Sequence, residues 1–276
     1  MPDTPATNFD FLRFNRRPGK PRTSGLTEIR GPYYTPMGNH YLQDLLEAMG
    51  DSIDSLKFAG GSFIVMAPPA LAELISLCHR HNVLVSTGGF IEYVLTQGAS
   101  AVDAYIHGCK ELGFDIIELS AGFVTIPLDD WLCLTEKVQR AGLKAKAEVG
   151  IQYGAGGASS MAALESEGTQ EVGWMIHRAR RLLDAGAYQV MIESEGITEN
   201  VRAWRSDVPS RVATGLGLDR VMFEAADPAV FTWYVKTFGP GVNLFVDHSQ
   251  IVQLACLRAG IWGTSDVWGR VRSLGE

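Results

Sequence analysis

From Thr27 onward the chain alternates between short apolar segments and longer amphipathic segments. Each of the eight short segments ends in Gly or a polar residue, and the segment after it has apolar residues at the helical period of 3.6. We predict strands in "TEIRG" from Thr27, "SLKFAGG" from Ser55, "LVSTGGF" from Leu84, "IIELSAG" from Ile116, "KAKAEVG" from Lys144, "YQVMIES" from Tyr188, "VMFEAAD" from Val221 and "NLFVDHS" from Asn243.

The predicted helices lie between these strands. One spans "QEVGWMIHRARRLLDAG", where apolar residues from Val172 to Leu183 form a single stripe and Gly186 follows as a stop signal. The others are predicted to begin near Asn39, Pro69, Ala99, Leu128, Thr198, Pro228 and Ser249. Eight strand–helix units in about 250 residues are typical of a (β/α)8 TIM barrel. An open doubly wound sheet is the alternative, because strand count alone does not establish closure.

The barrel is predicted to be a single domain over residues 26–276, preceded by an N-terminal arm over residues 1–25, since no linker or change in composition divides the rest. The arm is basic and contains Arg13, Arg16, Arg17, Lys20 and Arg22. We expect a solvated arm that lies on the domain or on a neighbouring subunit, with a targeting or anion-binding arm as the alternative.

Composition excludes several classes of function. The 276 residues are 46% hydrophobic and carry a formal charge of -7, so the chain lacks the excess of Lys and Arg that nucleic-acid binding requires. We find neither an apolar run long enough to span a membrane nor the apolar core of a signal peptide. We therefore expect a cytoplasmic protein with a small-molecule partner, no nucleic acid and no membrane.

Charged residues occur inside the predicted strands, where alternation decides which side of the barrel they face. The small or apolar residues suit the side covered by helices, which leaves the charged residues facing inward. The predicted inward set is Glu28, Arg30, Lys57, Glu118, Ser120, Lys144, Lys146, Glu148, Gln189, Glu193, Glu195, Glu224, Asn243 and Asp247. Most of these residues lie in the carboxyl-terminal halves of the strands, where TIM barrels build their active sites.

This inward set contains more acids than bases. Carboxylates packed together raise one another's pKa unless a cation relieves the repulsion, and Mg²⁺ prefers such oxygen ligands. We therefore predict a magnesium site in the barrel mouth. A purely structural network of Lys and Glu pairs is the alternative.

Several strand motifs resemble those of the phosphosulfolactate synthase family. They are "LKFAGG", "STGGFIEYV", "LGFDIIELSAG", "AEVG", "DAGAYQVMIES", "VMFEAAD", "GPGVNLFVDHSQI" and "GTSDVWGRV". The resemblance covers about residues 25–271, and "PYYT", "VDHSQ" and "GTSD" are most similar to a plant and fungal heat-stress-associated branch. It implies a TIM-barrel lyase that adds sulfite to phosphoenolpyruvate with Mg²⁺, and a homo-oligomer, of which a trimer is one form.

The resemblance and the inward positions together suggest roles for the site residues. We expect Glu118, Glu148 and Glu193 to hold the metal, with Glu224 as a further candidate. The predicted catalytic residues are Lys57, Lys146, Glu148 and Glu224, with Lys146 paired to Glu148. The predicted substrate-binding residues are Arg30, Ser120, Asn243 and Asp247.

Three alternatives concern the chemistry. Glu195 and Glu199 follow the sixth strand and would repel a phosphate, so the true substrate could be a different enol-carboxylate. An inward Lys57 or Lys146 could instead form a Schiff base, as in an aldolase. The third alternative is a non-catalytic role in stress tolerance. The stretch "GAGGAS" from Gly154 is predicted to be a loop over the barrel mouth rather than a dinucleotide fingerprint.

Overall fold

Eight parallel strands close into a barrel in the computed structural model, which describes residues 8–9, 11–152, 155, 159–168, 171–225, 227–264 and 266–273. The strands pair in chain order, and the first pairs with the last. Their bounds are β1 (Thr27–Arg30), β2 (Ser55–Lys57), β3 (Leu84–Ser86), β4 (Ile116–Leu119), β5 (Lys144–Val149), β6 (Gln189–Ile192), β7 (Val221–Glu224) and β8 (Leu244–Asp247). The predicted (β/α)8 TIM barrel is confirmed, and the open sheet is excluded. Most of "GAGGAS" lies outside the described residues.

Helices follow the strands on the outside of the barrel. Their bounds are α1 (Asn39–Met49), α2 (Pro68–Arg80), α3 (Ile91–Leu95), α4 (Ala99–Leu112), α5 (Leu128–Arg140), α6 (Met161–Glu167), α7 (Val172–Asp184), α8 (Asp207–Leu216), α9 (Pro228–Phe238) and α10 (Ile251–Ala259). Short 3₁₀ turns cover Gly50–Ser52, Ala59–Val65, Gly88–Phe90 and His248–Gln250. Within the described part of the chain, no helix has the length and hydropathy needed to cross a bilayer.

The helix after β6 begins later than the sequence predicted. Thr198 lies in a turn, and α8 begins only at Asp207. A helix from Thr198 would place Pro209 in its interior, where proline removes a hydrogen bond and clashes with the preceding turn. The actual start puts Pro209 in the first turn, where proline is tolerated.

Apolar packing lies on both sides of the sheet. The larger cluster joins the outer faces of the strands to the helices and includes Leu56, Ala147 and Phe223. A smaller cluster fills the inside of the barrel and consists of Leu26, Met191, Met222 and Phe245. The inner cluster is small because charged and polar side chains occupy the rest of the interior, as alternation along the strands predicted.

The N-terminal arm runs along the amino-terminal end of the barrel. Arg17 and Arg22 both pair with Asp54, at 3.3 Å and 3.0 Å. The side-chain amide of Asn15 donates to the backbone carbonyls of Arg258 and Val271, which belong to the end of the chain. These contacts hold the described part of the arm against the domain.

Candidate active site

A cavity of about 600 Å³ opens at the carboxyl-terminal end of the barrel. Charged residues from six strands or the loops directly after them line its floor, and aromatic residues line its rim. The charged floor residues are Arg30, Lys57, Glu118, Glu148, Glu193 and Glu224, and the rim residues are Tyr33, Tyr34, Phe90, Tyr93 and Phe123. A size of 300–1,000 Å³ is usual for small-molecule sites.

A second cavity of about 490 Å³ adjoins the first. Glu148, Glu193 and Phe123 line both cavities. The other walls of the second cavity come from the loop after β4, from the segment after β5, and from helices α5 and α7, the last of which contributes Arg178. The two cavities therefore meet at the acidic residues.

Three carboxylates converge at this junction. Glu148, Glu193 and Glu224 each offer an oxygen, and these oxygens lie within 4.8 Å of one another. Glu148 comes from β5, Glu193 directly follows β6, and Glu224 ends β7. Adjacent parallel strands bring these positions together at one edge, because Glu148 lies beside Met191 and Ile192 beside Phe223 in the sheet register.

Burial and repulsion from neighbouring carboxylates raise the pKa of all three carboxyls. Burial, followed by the charges of Glu118 and Glu224, raises the pKa of Glu148 to about 8 although Lys57 opposes the shift. The pKa of Glu193 rises well above its usual value because of burial and the charges of Glu224 and Glu148. Burial also raises the pKa of Glu224, against the lowering effect of Lys57 and Arg30. The positive charges of Lys57 and Arg30 therefore do not offset the combined effect of burial and neighbouring negative charge on these three carboxyls.

Deeper in the barrel, acidic and basic side chains alternate in a ladder. Lys146 Nζ lies 2.5 Å from Glu28 Oε2 and 2.9 Å from Glu118 Oε2. Lys57 Nζ lies 2.7 Å from the same Glu118 oxygen and 3.7 Å from Glu148 Oε2. The predicted pairing of Lys146 with Glu148 is therefore wrong. The sheet register explains this, because Lys146 lies beside Glu118 on the neighbouring strand.

Glu118, which the sequence suggested as a metal ligand, lies outside the group of three carboxylates. Burial opposes its ionisation, but Lys146 and Lys57 outweigh burial and lower its pKa to about 2. Glu118 is therefore an ionised link between two lysines, whereas Glu224, predicted as catalytic and as a further candidate for the metal, belongs to the group of three carboxylates.

Arg30 and Lys57 bring positive charge to the cavity. Arg30 ends β1 and donates to Glu224 Oε1 at 2.9 Å. The ring of Phe245 lies beneath both cations, 5.2 Å from the Arg30 guanidinium carbon and 4.1 Å from Lys57 Nζ. Burial lowers the pKa of Lys57, but the surrounding carboxylates, with Glu118 first, outweigh burial and raise it overall. Lys57 is therefore a protonated group.

Five carboxylates and three cationic side chains meet in this network. The carboxylates are Glu28, Glu118, Glu148, Glu193 and Glu224, and the cationic groups are Arg30, Lys57 and Lys146. If all are ionised, two negative charges remain, which is the charge that one divalent cation would balance. The oxygen-only donor set also suits Mg²⁺, which binds through one or two carboxylates and keeps several waters.

Glu92, on α3, was not identified from the sequence. Its carboxylate accepts hydrogen bonds from the backbone N–H groups of Gly122, Phe123 and Val124 at 3.2, 2.6 and 3.1 Å. These contacts fix the loop that lines both cavities. Glu92 belongs to the quoted motif "STGGFIEYV", but nothing in that motif indicates the partner loop 30 residues away.

The predicted substrate-binding residue Ser120 is part of this anchor. Its hydroxyl donates to Glu92 Oε1 at 2.6 Å. Gly89 permits the contact, because a Cβ at that position would lie 2.6 Å from Ser120 Oγ. Ser120 borders the cavity, but its hydroxyl already donates its hydrogen bond to Glu92 and is not free to donate to a substrate.

Asn243, also predicted to bind substrate, lies at the opposite end of the barrel, so this prediction is wrong. It precedes the first residue of β8, whereas the cavity lies at the other end of that strand. Its amide accepts from the backbone N–H of Leu26 and donates to the carbonyls of Leu218 and Val221. Asp247, at the end of β8, does line the cavity, and its carboxylate accepts from both the backbone N–H and the hydroxyl of Ser249.

The acidic residues after β6 have separate positions. Glu199 lines the cavity and accepts from Ser194 at 2.7 Å. Glu195, which alternation predicted to face inward, is buried in the following turn and accepts from the backbone N–H of Ser159 and the amide of Asn200. Alternation fails there because β6 ends at Ile192.

Solved structures with similar folds are enzymes of several kinds. The carboxyl transferase domain of Rhizobium etli pyruvate carboxylase with 3-bromopyruvate superposes with a TM-score of 0.57 and 12% identity, covering 91% of this chain and 46% of that chain. A 2,3-dimethylmalate lyase of the PEP mutase/isocitrate lyase superfamily gives 0.50 at 15% identity, covering 90% and 88%. At these identities the likeness concerns the fold alone.

Relatives with similar sequences identify the family of the chain, which the solved structures do not. Protein HEAT-STRESS-ASSOCIATED 32 of Arabidopsis thaliana is 37% identical over 252 residues, which cover 88% of each chain. Phosphosulfolactate synthase of Methanothermobacter thermautotrophicus is 26% identical over 270 residues, which cover 95% of this chain and 98% of that protein. The family model described as (2R)-phospho-3-sulfolactate synthase (ComA) matches residues 15–264. The chain therefore belongs to the (2R)-phospho-3-sulfolactate synthase (ComA) family.

Proposed function

We propose that this protein is a lyase of the phosphosulfolactate synthase type, which adds a nucleophile to an enol-carboxylate such as phosphoenolpyruvate. The observation that carries the proposal is the group of Glu148, Glu193 and Glu224 at the junction of two cavities, next to Arg30 and Lys57. An addition reaction has two reactants, and the two cavities offer a space for each on either side of the carboxylates. The nucleophile would be sulfite if the chain shares the reaction named for its archaeal relatives.

Mg²⁺ is the proposed cofactor, held by Glu148, Glu193 and Glu224 directly or through water. The raised pKa of each of these carboxyls supports a divalent cation there, because such an ion would stabilise their ionised forms. When bound, the ion would act as a Lewis acid that stabilises negative charge on the substrate carboxylate.

The protein's own groups would bind and orient the substrate. Arg30 is the cation nearest the rim, since its guanidinium also lies 5.3 Å from the ring of Tyr33, and it would bind an anionic substituent of the substrate. Lys57 would supply a fixed positive charge next to the developing enolate. Lys146 is buried between Glu28 and Glu118, so its proposed role is to position Glu118 and thereby Lys57.

Protonation of Lys57 favours this role over the Schiff-base alternative. A Schiff base requires a neutral amine, and enzymes obtain one by lowering the pKa of the lysine. The carboxylates around Lys57 do the opposite. Lys146 is only 1% exposed and has an acid on either side.

Calorimetric titration with Mg²⁺ tests the metal site. We expect the wild-type protein to bind one ion, and we expect Glu193→Gln and Glu224→Gln to weaken binding at least tenfold. Asp247→Asn is the matched control, because Asp247 also lines the cavity but lies outside the group of three carboxylates. Wild-type protein that binds no Mg²⁺, or equal binding by all three variants, would contradict the metal proposal.

A second measurement separates the metal site from the substrate. Phosphoenolpyruvate, sulfite and Mg²⁺ are incubated with the protein, and phosphosulfolactate is detected by ³¹P NMR. Formation of the product that disappears in Glu224→Gln supports the complete proposal. Magnesium binding without product would retain the metal site and reject this substrate pair. If Glu193→Gln and Glu224→Gln also preserved a heat-tolerance phenotype, a non-catalytic role would be favoured.

A further inference from the structure

A third cavity, of about 570 Å³, lies at the amino-terminal end of the barrel, and we call it the basal cavity. It is lined by the N-terminal arm at Lys20 and Arg22 and by the first residues of several strands. Among the residues that the structure describes, none lines both the basal cavity and the cavity at the carboxyl-terminal end. Leu26 and Met222, from the inner apolar cluster, form part of its wall. The basal cavity is therefore a separate compartment that the proposed reaction does not use.

Most charged groups around the basal cavity are paired. Arg22 pairs with Asp54 at 3.0 Å, and Lys146 pairs with Glu28 at 2.5 Å. Lys20 and Lys144 form no ion pair with any acid among the described residues. Lys20 donates to the backbone carbonyls of His81 and Asn82, and Lys144 Nζ lies 4.5 Å from the centre of the Tyr188 ring. The cavity wall thus carries two lysines outside ion pairs, one hydrogen-bonded to backbone carbonyls and one exposed.

Burial supports this conclusion for Lys20. Desolvation, with a smaller contribution from Arg22, lowers the pKa of Lys20 to about 8, and the attraction of Asp54 does not offset it. The charged form of Lys20 is therefore less favoured than in an ordinary lysine, although it still predominates at pH 7. An anion in the cavity would stabilise it.

Gln189 provides a second, independent observation. It is the first residue of β6, it lines the cavity, and it is only 2% exposed. Its side-chain amide forms no hydrogen bond within the described part of the chain, and its polar atoms are not among the fully buried unpaired ones, so they are accessible from the cavity. An amide in this position offers both a donor and an acceptor to a molecule inside the cavity.

The rest of the wall is largely apolar and includes Val83, Ile116 and Met222. We infer that the basal cavity binds a small organic anion, whose charge is balanced by Lys20 and Lys144, whose polar substituent is bonded by Gln189, and whose body packs against the apolar wall. The volume is in the range of small-molecule sites.

The test uses 8-anilinonaphthalene-1-sulfonate, a fluorescent organic anion with an apolar body, titrated into the full-length protein. We expect saturable binding of one molecule that weakens as salt is added. Lys144→Met and Gln189→Leu should each weaken binding at least fivefold, and Lys20→Met combined with Lys144→Met at least twentyfold. Lys137→Met, which removes an exposed lysine on α5, should leave the affinity unchanged.

The Arg30→Met variant tests at which end of the barrel the probe binds. If the probe binds in the basal cavity, this variant at the other end should bind as tightly as the wild type. Lost binding in Arg30→Met, or wild-type affinity in both Lys144→Met and Gln189→Leu, would overturn the inference. Lys144 is exposed, so Lys144→Met should fold even if replacement of Lys20 disturbs the arm, and circular dichroism of each variant checks this.

Discussion

Lys57 Nζ lies 2.7 Å from Oε2 of Glu118, and this buried ion pair joins the interior ladder to the acidic cluster. Lys146 contacts the same oxygen from below at 2.9 Å, so one carboxylate is shared by two ammonium groups. Charge alternates from Glu28 through Lys146, Glu118 and Lys57, and the alternation ends at Glu148. Glu148 therefore belongs to both the ladder and the cluster, which couples the stability of the barrel interior to the charge at its mouth.

Replacing Lys57 with Met should destabilise the protein strongly. The substitution leaves Glu118 and Glu148 with less compensation in a buried site, and breaking a buried pair costs about 3–5 kcal/mol. We expect a loss of about 3 kcal/mol in the free energy of unfolding, measured by urea denaturation, because Lys146 still contacts Glu118. A loss below about 1 kcal/mol would show that the ladder contributes little.

Lys137→Met is the matched control for this prediction. Lys137 Nζ lies 2.6 Å from Asp103, a distance close to that of the Lys57 pair, but the two side chains are 41% and 60% exposed. Exposed pairs contribute about 0–1 kcal/mol because water screens them and the side chains lose entropy. The two variants thus compare the same kind of contact inside and outside the barrel.

The stability of the protein should depend on Glu118 in acid. Its pKa is about 2 in the folded chain, against an ordinary value of 4.5. A lowered pKa stabilises the fold above pH 4.5, and this contribution is lost as the pH falls from 4.5 towards 2. The shift corresponds to a contribution on the order of 3 kcal/mol.

Glu118→Gln lacks this titration. We expect the difference in unfolding free energy between the wild type and Glu118→Gln to shrink as the pH is lowered from 5 to 2, in denaturation curves at constant ionic strength. A difference that stays constant over this range would show that Glu118 is not ionised by its two lysines. Glu111→Gln, which changes an exposed residue on α4, should give no such dependence.

The sequence predicted the fold and the inward side of most charged strand residues, because both follow from periodicity. Glu195 is an exception, since β6 ends before it. Lys57, Glu118, Lys146, Glu148 and Glu224 do lie inside the barrel. Alternation along a strand shows whether a residue faces into the barrel, but it does not show how far along the barrel axis the residue lies. This explains the wrong prediction for Asn243, which lies at the amino-terminal end.

The sequence also did not predict which charged side chains pair with one another across the barrel. Lys146 bonds to Glu28, 118 residues earlier, and the choice among several nearby acids depends on the sheet register and side-chain rotamers. Charge pattern alone favoured the neighbour in sequence, Glu148. The Glu92 anchor was missed for a similar reason, since its partners are mostly backbone N–H groups, which leave no mark in the sequence.

Borohydride trapping should give no adduct. The protein is incubated with pyruvate and sodium borohydride, and its mass is measured. Because Lys57 is held protonated by the carboxylates around it and Lys146 is enclosed between two acids, we expect an unchanged mass under conditions in which a Schiff-base aldolase is fully modified. A stable adduct on Lys57 or Lys146 would favour the aldolase mechanism over the proposed addition.

Glu92→Gln should loosen the loop that lines both cavities without unfolding the barrel. The Glu92 carboxylate accepts three backbone N–H groups from residues 122–124, and hydrogen bonds to a charged group contribute about 1.5–3 kcal/mol each. The neutral amide has one acceptor oxygen, so we expect hydrogen–deuterium exchange at residues 122–124 to become about tenfold faster or more, measured by NMR or mass spectrometry. Exchange in β4 and β5 should not change. Glu111→Gln provides a surface control on the neighbouring helix, and equal exchange at residues 122–124 in both variants would show that Glu92 does not hold the loop.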